Sequence, residues 1–280
     1  MAALLVGALA IGVLSGCAGP HNFTAADGPL YQGCEAPQAT AATPPKLRVV
    51  SFNIQFARHI DLALDVLREE PELVGADIIL LQEMNEAGTE RIARALDMCW
   101  VYYPAVVHPK AHGNFGNAIL AHRPLTDPKK IILPHLGGIG RTQRIATAAS
   151  IELGDRVVRL YSVHVGTWAE LTREQRRAQV QAVIDDANAF SGDVIIGGDL
   201  NDSGLVSSFE AAGYNWLTRK IGRTCKYWSL DHVFTRGLVA GGSCGKIQDN
   251  RGSSDHSPIW VSLGVPPLTP NVDVGTRSTR

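Results

Sequence analysis

The sequence predicts an α/β fold of the α+β kind, in which two packed β-sheets are covered by helices. Short apolar runs rich in β-branched residues recur along the 280-residue chain, and such runs are typical of strands. Clear helical patterns are few by comparison, which favours sheets packed on each other with helices outside. The length suits one large domain, because a chain of this size can bury a single substantial core.

The predicted strands are short, and polar residues follow several of them. The segment 61–70 lies between the first two strands, and the clearest helix spans 170–190. Within that helix, apolar residues at i, i+3, i+4 and i+7 form one stripe, beginning at Val180 and ending at Ala187. The predicted strands are residues 47–54, 76–84, 118–122, 145–153, 157–165, 194–196, 230–234 and 259–263.

The first residues predict export. Residues 2–13 are apolar and lead to Leu14-Ser15-Gly16-Cys17, as in a signal peptide with small residues before its cleavage point. This stretch is too short to span a bilayer. The tetrapeptide also resembles a bacterial lipobox, so residues 1–16 are interpreted as a lipoprotein signal peptide and Cys17 as the lipid-bearing first residue. No Lys or Arg follows Met1, which departs from the usual pattern and leaves a buried N-terminal helix as the competing interpretation.

Two segments lack periodic apolar residues. Residues 17–46 are rich in Ala, Gly, Pro and Thr, which predicts a flexible tether that holds the domain off a membrane. Residues 265–280 are interpreted as a disordered tail, so the folded domain is predicted over 47–264. We expect a monomer that is lipid-anchored to a bacterial membrane and faces the periplasm or the cell exterior.

The remaining cysteines are Cys34, Cys99, Cys225 and Cys244. An even number in an exported chain predicts two disulfides, and three pairings are open. We favour Cys225 with Cys244, because they flank one predicted strand, which leaves Cys34 for Cys99. No Cys-x-x-Cys pair occurs, so the spacing does not suit zinc.

The overall charge gives little attraction to polyanions. Lys and Arg number 26 against 27 Asp and Glu, a formal net charge of −1, so any phosphate preference must come from a local site. A basic groove that binds nucleic acid would form only if arginine and lysine residues distant in sequence come together. If they do not, their side chains are simply exposed to solvent. The candidates are Arg141, Arg144, Arg173, Arg176, Arg177, Arg219, Lys220 and Arg223.

Polar residues at the ends of predicted strands are the candidates for chemistry. Asn53 and Glu83 each lie next to the end of a strand, and Asp199 and Asn201 follow another strand. Residues two apart in extended chain point the same way, so Asp199 and Asn201 are able to address one point. Asp231-His232 opens a strand, and Asp255-His256 precedes the last one. Carboxylates and carboxamides are hard oxygen ligands that suit Mg²⁺ or Mn²⁺ rather than zinc.

Together these segments resemble the endonuclease/exonuclease/phosphatase superfamily, which includes pancreatic-type deoxyribonucleases, abasic-site endonucleases, inositol-phosphate phosphatases and bacterial sphingomyelinases. Each motif is weak alone, but all occur in the family's order across nearly the whole predicted domain. The motifs are Ser51-Phe52-Asn53-Ile54, Leu81-Gln82-Glu83-Met84, Gly116-Asn117-Ala118-Ile119-Leu120, Val163-His164-Val165, Gly198-Asp199-Leu200-Asn201, Leu230-Asp231-His232-Val233-Phe234 and Ser254-Asp255-His256-Ser257-Pro258.

The resemblance implies a four-layer αββα sandwich and metal-dependent hydrolysis of a phosphate ester. Asn53 and Glu83 would hold Mg²⁺ or Mn²⁺, with Asp255 close to that ion or to a second one. The ion would neutralise charge that grows on the phosphate in the transition state.

The same resemblance implies the acid–base roles. Asp199, assisted by Asn201, would position and deprotonate the attacking water. His256 would face a phosphoryl oxygen and be oriented by Asp231. His164 would bind another phosphate oxygen or assist the leaving group, although Val165 stands where the family more often has Leu.

Several points stay open from the sequence. His232 should point away from the side of Asp231, as a structural residue, and Tyr227-Trp228 either wall a pocket or pack. Residues 241–245 formally match a nucleophile elbow but lack the helix that should follow. The preferred substrate is a phosphodiester, with a lipid or other membrane-associated ester ahead of DNA or RNA. A phosphomonoesterase and a non-catalytic surface adhesin of the same fold are competing interpretations.

Overall fold

The computed structural model describes residues 20–34, 44–138 and 140–266. In these ranges the strands are β1 (His21–Asn22), β2 (Tyr31–Gly33), β3 (Lys46–Asn53), β4 (Ile78–Met84), β5 (Cys99–His108), β6 (Gly113–Ala121), β7 (Thr126–Ile132), β8 (Ile145–Leu153), β9 (Arg156–His164), β10 (Asp193–Asp199), β11 (Asn215–Trp216), β12 (Asp231–Arg236), β13 (Val239–Lys246) and β14 (Ile259–Gly264). The helices are α1 (Ile60–Glu69), α2 (Glu86–Ala95), α3 (Arg173–Asn188) and α4 (Val206–Ala211), with short 3₁₀ turns at Gln55–Ala57 and Ser203–Leu205.

The strands form two mixed sheets. The first has the order β1-β5-β6-β4-β3-β14-β13, with β2 also paired to β5. The second has the order β11-β12-β10-β9-β8-β7. This arrangement confirms the predicted α/β sandwich, and all eight predicted strands and the helix over 170–190 are present.

Alternation along the strands separates three hydrophobic layers. In β3, Val49 enters the core between the sheets, whereas Val50 and Phe52 pack with α1 and α2 on the outer side. In β10, Ile195 enters the central core and Ile196 packs with α3 and α4. The layers therefore follow the order helices, sheet, sheet, helices.

The predicted tether is wrong for residues 20–34, which contribute two short strands to the first sheet. β1 and β2 both pair antiparallel with β5, and the Asn22 side chain accepts a hydrogen bond from the Gln143 backbone N–H at 2.9 Å. The segment is attached by backbone pairing to β5 rather than by a buried apolar face. For this reason it carries no apolar periodicity. Cys34 is also disulfide-bonded to Cys99 at the start of β5.

The predicted Cys225–Cys244 disulfide is also wrong. Both residues are free, with Cys225 half-buried and Cys244 exposed. They flank β12 in sequence, but β12 belongs to the second sheet and Cys244 lies on β13 of the first. Residues 241–245, the formal nucleophile elbow, are part of β13, so they do not form a strand-to-helix turn.

Cys17 and the predicted signal peptide lie outside the described residues, as do residues 267–280 of the predicted tail. Within the described part of the chain, no helix is long and apolar enough to cross a membrane.

Candidate active site

Three polar residues lie side by side at one end of the second sheet. Asp199 ends β10, His164 ends the parallel strand β9, and Asp231 begins the antiparallel strand β12. The register pairs Asp199 with both of the others. Four residues before His164 and Asp199, on the same faces of their strands, Leu160 and Ile195 enter the core between the sheets. The polar side chains therefore face the first sheet.

Asn53 comes to the same place from the first sheet. It ends β3 on the inner face, in the alternation that carries Val49. Its Nδ2 lies 3.2 Å from Glu83 Oε1 and 3.0 Å from Asp199 Oδ2. One buried amide therefore connects a carboxylate from each sheet.

A backbone irregularity directs Glu83 into the site. Ile79 and Leu81 of β4 pack on the helical side, so simple alternation would send Glu83 the same way. Instead, the pairing of β4 with β6 shifts between Leu81 and Met84, and Glu83 has a positive φ of 59°. Its Oε2 accepts the Phe56 backbone N–H at 2.9 Å. Such bulges re-aim side chains and are often found at functional sites.

Asp199 is held by the turn that follows it. The backbone N–H of Asn201 donates to Asp199 Oδ1 at 2.8 Å, and Asn201 Nδ2 donates to the Val165 carbonyl at 2.9 Å. Gly198 has a φ of 151°, and a Cβ there would lie 2.0 Å from the Val163 carbonyl oxygen. Glycine is therefore required for β10 to approach β9 at this point.

Burial raises the pKa of Asp199 to about 7, because the charged form loses its hydration. The nearby charge of His256 opposes this rise, and that of Asp231 adds to it. Burial also raises the pKa of Glu83, against the opposing effects of Arg144 and Asn53. The site therefore contains two carboxyl groups that hold protons more tightly than exposed ones.

His256 and Asp231 form a hydrogen-bonded pair. His256 Nδ1 lies 2.8 Å from Asp231 Oδ2, and Nε2 lies 3.8 Å from Asp199 Oδ2. Ser254 fixes the backbone, because its Oγ donates to the Asn53 carbonyl at 2.6 Å and accepts the His256 N–H at 3.0 Å. Burial acts to lower the pKa of His256, but the charges of Asp231 and Asp199 raise it well above its ordinary value.

His164 lies against Arg144. Arg144 NH1 is 3.1 Å from Nδ1 and 2.9 Å from Nε2 of the ring, and NH2 donates to Glu170 Oε2 at 2.8 Å. Burial and the Arg144 charge lower the pKa of His164 well below its ordinary value. A guanidinium only donates, so the neutral ring accepts from it. Phe115 packs on both groups, 5.5 Å from the guanidinium carbon and 5.8 Å from the His164 ring centre.

Asp255 lies at the outer margin of the site. It is exposed, and among the described residues its carboxylate groups with Cys225 and His256, with ligand atoms within 4.8 Å of one another. Its role beside a Mg²⁺ or Mn²⁺ ion stays a prediction.

The donor groups of the site fit a hard divalent cation. Asn53, Glu83 and Asp199 offer amide and carboxylate oxygens, the donors that Mg²⁺ and Mn²⁺ prefer. Burial has raised the pKa of both carboxyl groups, so a cation would relieve an electrostatic cost. Asp231 Oδ1 is also buried with no hydrogen-bond partner in the described chain.

A cleft of about 900 Å³ opens beside Glu170, the carboxylate that Arg144 binds. Its basic lining includes His21, Lys110 and His112, and apolar residues such as Val107 lie between them. His21 belongs to β1, so the N-terminal strands contribute one wall.

The sequence patterns did not reveal the local roles of Arg144, Glu170 and Cys225. In the sequence Arg144 is a candidate only for a basic groove, and its place directly before a predicted strand gives no sign of burial. Three residues of that candidate groove have their positive charge partly neutralised, because Arg144, Arg176 and Arg219 are ion-paired to acidic side chains. The partners are Glu170, Asp202 and Glu210, respectively.

His232 does point away from Asp231, as the sequence predicts. It lies on the helical side of the second sheet, 5.5 Å from the Trp216 ring centre. It therefore packs as a structural residue and does not reach the site.

Comparisons with known proteins agree with this geometry. The model of the Endonuclease/Exonuclease/phosphatase family matches residues 50–256, which include every proposed metal and acid–base residue described above. A comparison with curated proteins finds no match.

Similar solved structures share the fold at low sequence identity. An endonuclease/exonuclease/phosphatase from Bacteroides vulgatus is 14% identical with a TM-score of 0.66, covering 80% of this chain and 100% of the other. Humanized D. rerio TDP2 is 17% identical with a TM-score of 0.62, covering 79% of this chain and 100% of the other. The human Nocturnin catalytic domain with bound sulfate is 15% identical with a TM-score of 0.60, covering 84% of this chain and 97% of the other. With its family-model match and its two-sheet fold, the chain belongs to the endonuclease/exonuclease/phosphatase family.

Proposed function

We propose that the protein is a divalent-metal-dependent hydrolase that cleaves a phosphodiester by in-line attack of water. The observation that carries the proposal is the register of His164, Asp199 and Asp231 on three neighbouring strands, opposite Asn53 and Glu83. Packing alone gives no reason to bury this set of polar groups together, because each burial costs hydration.

Asp199 is proposed to take the proton of the attacking water. A general base works best when its pKa lies near the operating pH, and burial raises the pKa of Asp199 to about 7. The Asn201 N–H occupies Oδ1, and Asn53 contacts Oδ2 from the other sheet. These two contacts fix the carboxylate while leaving further lone pairs for a water.

His256 is proposed to donate to a phosphoryl oxygen. Asp231 accepts from Nδ1, which orients the ring and leaves Nε2 toward the centre of the site. The raised pKa of His256 favours the doubly protonated ring, in which Nε2 is a hydrogen-bond donor. Its hydrogen bond to the phosphate would then strengthen as negative charge grows on the phosphoryl oxygens.

Arg144 and His164 are proposed to bind the opposite side of the phosphate. Arg144 is a buried, permanently charged donor next to the neutral His164 ring. Its NH1 and NH2 groups already contact His164 and Glu170, but each carries a second N–H, and a fixed guanidinium suits a phosphate oxygen. His164 would contact another phosphate oxygen or the leaving group.

Asn53 and Glu83 would hold a Mg²⁺ or Mn²⁺ ion, with Asp255 as a further candidate. When bound, the ion supplies charge neutralisation at the phosphate oxygens.

We prefer a lipid or another membrane-associated phosphodiester as substrate. Three aromatic side chains are strongly exposed on loops that carry site residues: Trp168 (73% exposed), Tyr227 (77%) and Trp228 (62%). Such side chains suit a membrane interface, and the net charge of −1 gives no general attraction to nucleic acid.

The Cys34–Cys99 disulfide supports the proposed export, because disulfides persist in oxidising compartments. Attachment to a bacterial membrane through Cys17 remains part of the proposal.

A nuclease is the second candidate, since exposed aromatics also stack on bases and one similar structure is D. rerio TDP2 complexed with single-strand DNA product. A substrate panel with added Mg²⁺ or Mn²⁺ separates the candidates, using a generic diester, a monoester, DNA, sphingomyelin and glycerophospholipids. Metal-dependent turnover of a lipid diester is expected. Faster turnover of DNA, with binding that falls steeply as salt rises, would favour the nuclease. Turnover of none, with either metal, would favour a non-catalytic protein.

A further inference from the structure

A free thiol lies beside the proposed catalytic histidine. Cys225 precedes β12, and its backbone forms an isolated bridge with that of His256. Its Sγ lies within 4.8 Å of a ring nitrogen of His256 and takes part in no disulfide. The carboxylate of Asp255 completes a cluster in which the three ligand atoms lie within 4.8 Å of one another.

This donor set differs in chemistry from the Asn53–Glu83 position. A thiolate, an imidazole and a carboxylate are ligands that zinc accepts, whereas Mg²⁺ prefers oxygen alone. Zinc bonds of about 2.0 to 2.3 Å in a tetrahedron separate ligand atoms by about 3.3 to 3.6 Å. The cluster needs only a small closure to reach that spacing, and the exposed Asp255 side chain is free to supply it.

The surroundings of His256 match those of a metal-binding histidine. Histidine ligands generally donate their second ring nitrogen to a carboxylate, which fixes the ring. Asp231 plays that part at 2.8 Å, so Nε2 is the nitrogen available to a metal. Ser254 and the bridge to Cys225 hold the His256 backbone. Two of the three ligands therefore sit on a backbone that is already fixed.

We propose that Cys225, Asp255 and His256 form an inhibitory binding site for Zn²⁺. Zn²⁺ would displace the protons of the Cys225 thiol and of the His256 ring nitrogen that the proposed hydrolysis needs, and both protons would pass to solvent. Turnover would then stop while Mg²⁺ or Mn²⁺ stays at Asn53 and Glu83. Zinc binding at this site does not depend on the proposed function. Only the inhibitory effect of zinc rests on the proposed function.

Cobalt titration of the full chain tests binding without any substrate. Co²⁺ replaces Zn²⁺ in such sites and gives a thiolate-to-metal absorption band in the near ultraviolet when a Cys ligand is bound. With excess Mg²⁺ present, we expect the wild type to develop this band with one equivalent of Co²⁺ and to lose it when Zn²⁺ is added.

Cys225→Ser should abolish the band, and Cys244→Ser is the matched control because Cys244 is the other free thiol of the described chain. Asp255→Asn should retain the band but weaken Co²⁺ affinity by about tenfold or more, since even outer-shell partners contribute about 10- to 100-fold. This exposed position also serves if Cys225→Ser fails to fold. No band in the wild type, a band that survives in Cys225→Ser, or unchanged affinity in Asp255→Asn would overturn the site.

Zinc inhibition tests the effect on catalysis. At saturating Mg²⁺, the Zn²⁺ concentration that halves diester hydrolysis should rise about tenfold or more in Cys225→Ser and stay unchanged in Cys244→Ser. Equal inhibition of wild type and Cys225→Ser would overturn the inhibitory role. A cobalt band without any hydrolysis would reject the proposed function and support the zinc site. Hydrolysis without a cobalt band would support the proposed function and reject the zinc site.

Discussion

Replacing Asp199 by Asn should stabilise the metal-free protein, and should do so only above acidic pH. The Asp199 pKa rises from 3.8 to about 7 on folding. A difference of about three units corresponds to about 4 kcal/mol of unfolding free energy, at about 1.4 kcal/mol per unit. The folded wild type holds this proton to higher pH than the unfolded chain, so it loses stability as pH rises from about 4 to about 7.

The amide of the Asp199→Asn variant does not titrate, so the gain in unfolding free energy over wild type should grow across that range and level off above about pH 7. About 4 kcal/mol is the upper limit, because the variant also removes a charge that supports protonated His256. The amide keeps one acceptor oxygen, so only one of the hydrogen bonds from Asn201 and Asn53 has to be lost, and this loss changes the difference little with pH.

Urea unfolding in the presence of EDTA, followed by tryptophan fluorescence, measures this difference at several pH values. Glu170→Gln is the contrasting control. Burial alone raises the pKa of Glu170, but Arg144 and Thr167 together hold it below its ordinary value. Glu170 therefore stabilises the fold above its unfolded pKa, and its variant should lose stability relative to wild type as pH rises through the acidic range. If the gain in unfolding free energy of Asp199→Asn over wild type is the same at about pH 5 and about pH 8, the argument that burial raises the pKa of Asp199 is refuted.

The other predictions concern metal, catalysis and attachment. Glu83→Gln should lose activity that added Mg²⁺ or Mn²⁺ partly restores, and loss that excess metal leaves unchanged would argue against a ligand role. His256→Ala should reduce kcat/KM by about 10²- to 10⁴-fold. The double variant with Asp231→Asn should lose much less activity than the product of the two single losses, because paired residues act as a unit. Fully multiplicative losses would exclude the pair. Cys34→Ser should lower the unfolding free energy by about 4 kcal/mol on the chain-entropy model for a separation of 65 residues, measured by urea unfolding under non-reducing conditions, and an unchanged midpoint would contradict it. Cys17→Ser should release the protein from the membrane or block its processing, and unchanged fractionation together with unchanged fatty-acid labelling would reject the anchor.

The elements that the sequence predicted are ones whose residues bury a face. Apolar runs such as 47–54 and 145–153 appear as β3 and β8, and the stripe from Val180 to Ala187 is the buried face of α3. β5 has an equally clear buried apolar run from Cys99 to Val106, but it was not among the predicted strands. Three other missed strands, β1, β2 and β13, lack such a signal. β13 is a Gly-rich edge strand, half-buried at most along its length, and β1 and β2 are held by pairing with β5.

The Cys225–Cys244 disulfide was predicted because the two residues are near each other in sequence, and that prediction is wrong. Cys225 and Cys244 flank one strand in sequence, yet that strand and the strand of Cys244 belong to different sheets. Sequence separation does not reveal which sheet a strand joins, because sheet order depends on long-range pairing.

The sequence by itself determined the family, the layered fold and the polar residues at the strand ends, because alternation and ordered motifs are local properties of the chain. Only the tertiary structure decided how those residues meet. The register of three strands aligns His164, Asp199 and Asp231, and a bulge with a positive φ turns Glu83 inward against its alternation. The burial of Arg144 and the contact of Cys225 with His256 likewise join segments distant in sequence. Such contacts depend on how two sheets pack, and that geometry is a property of the whole domain rather than of any one segment.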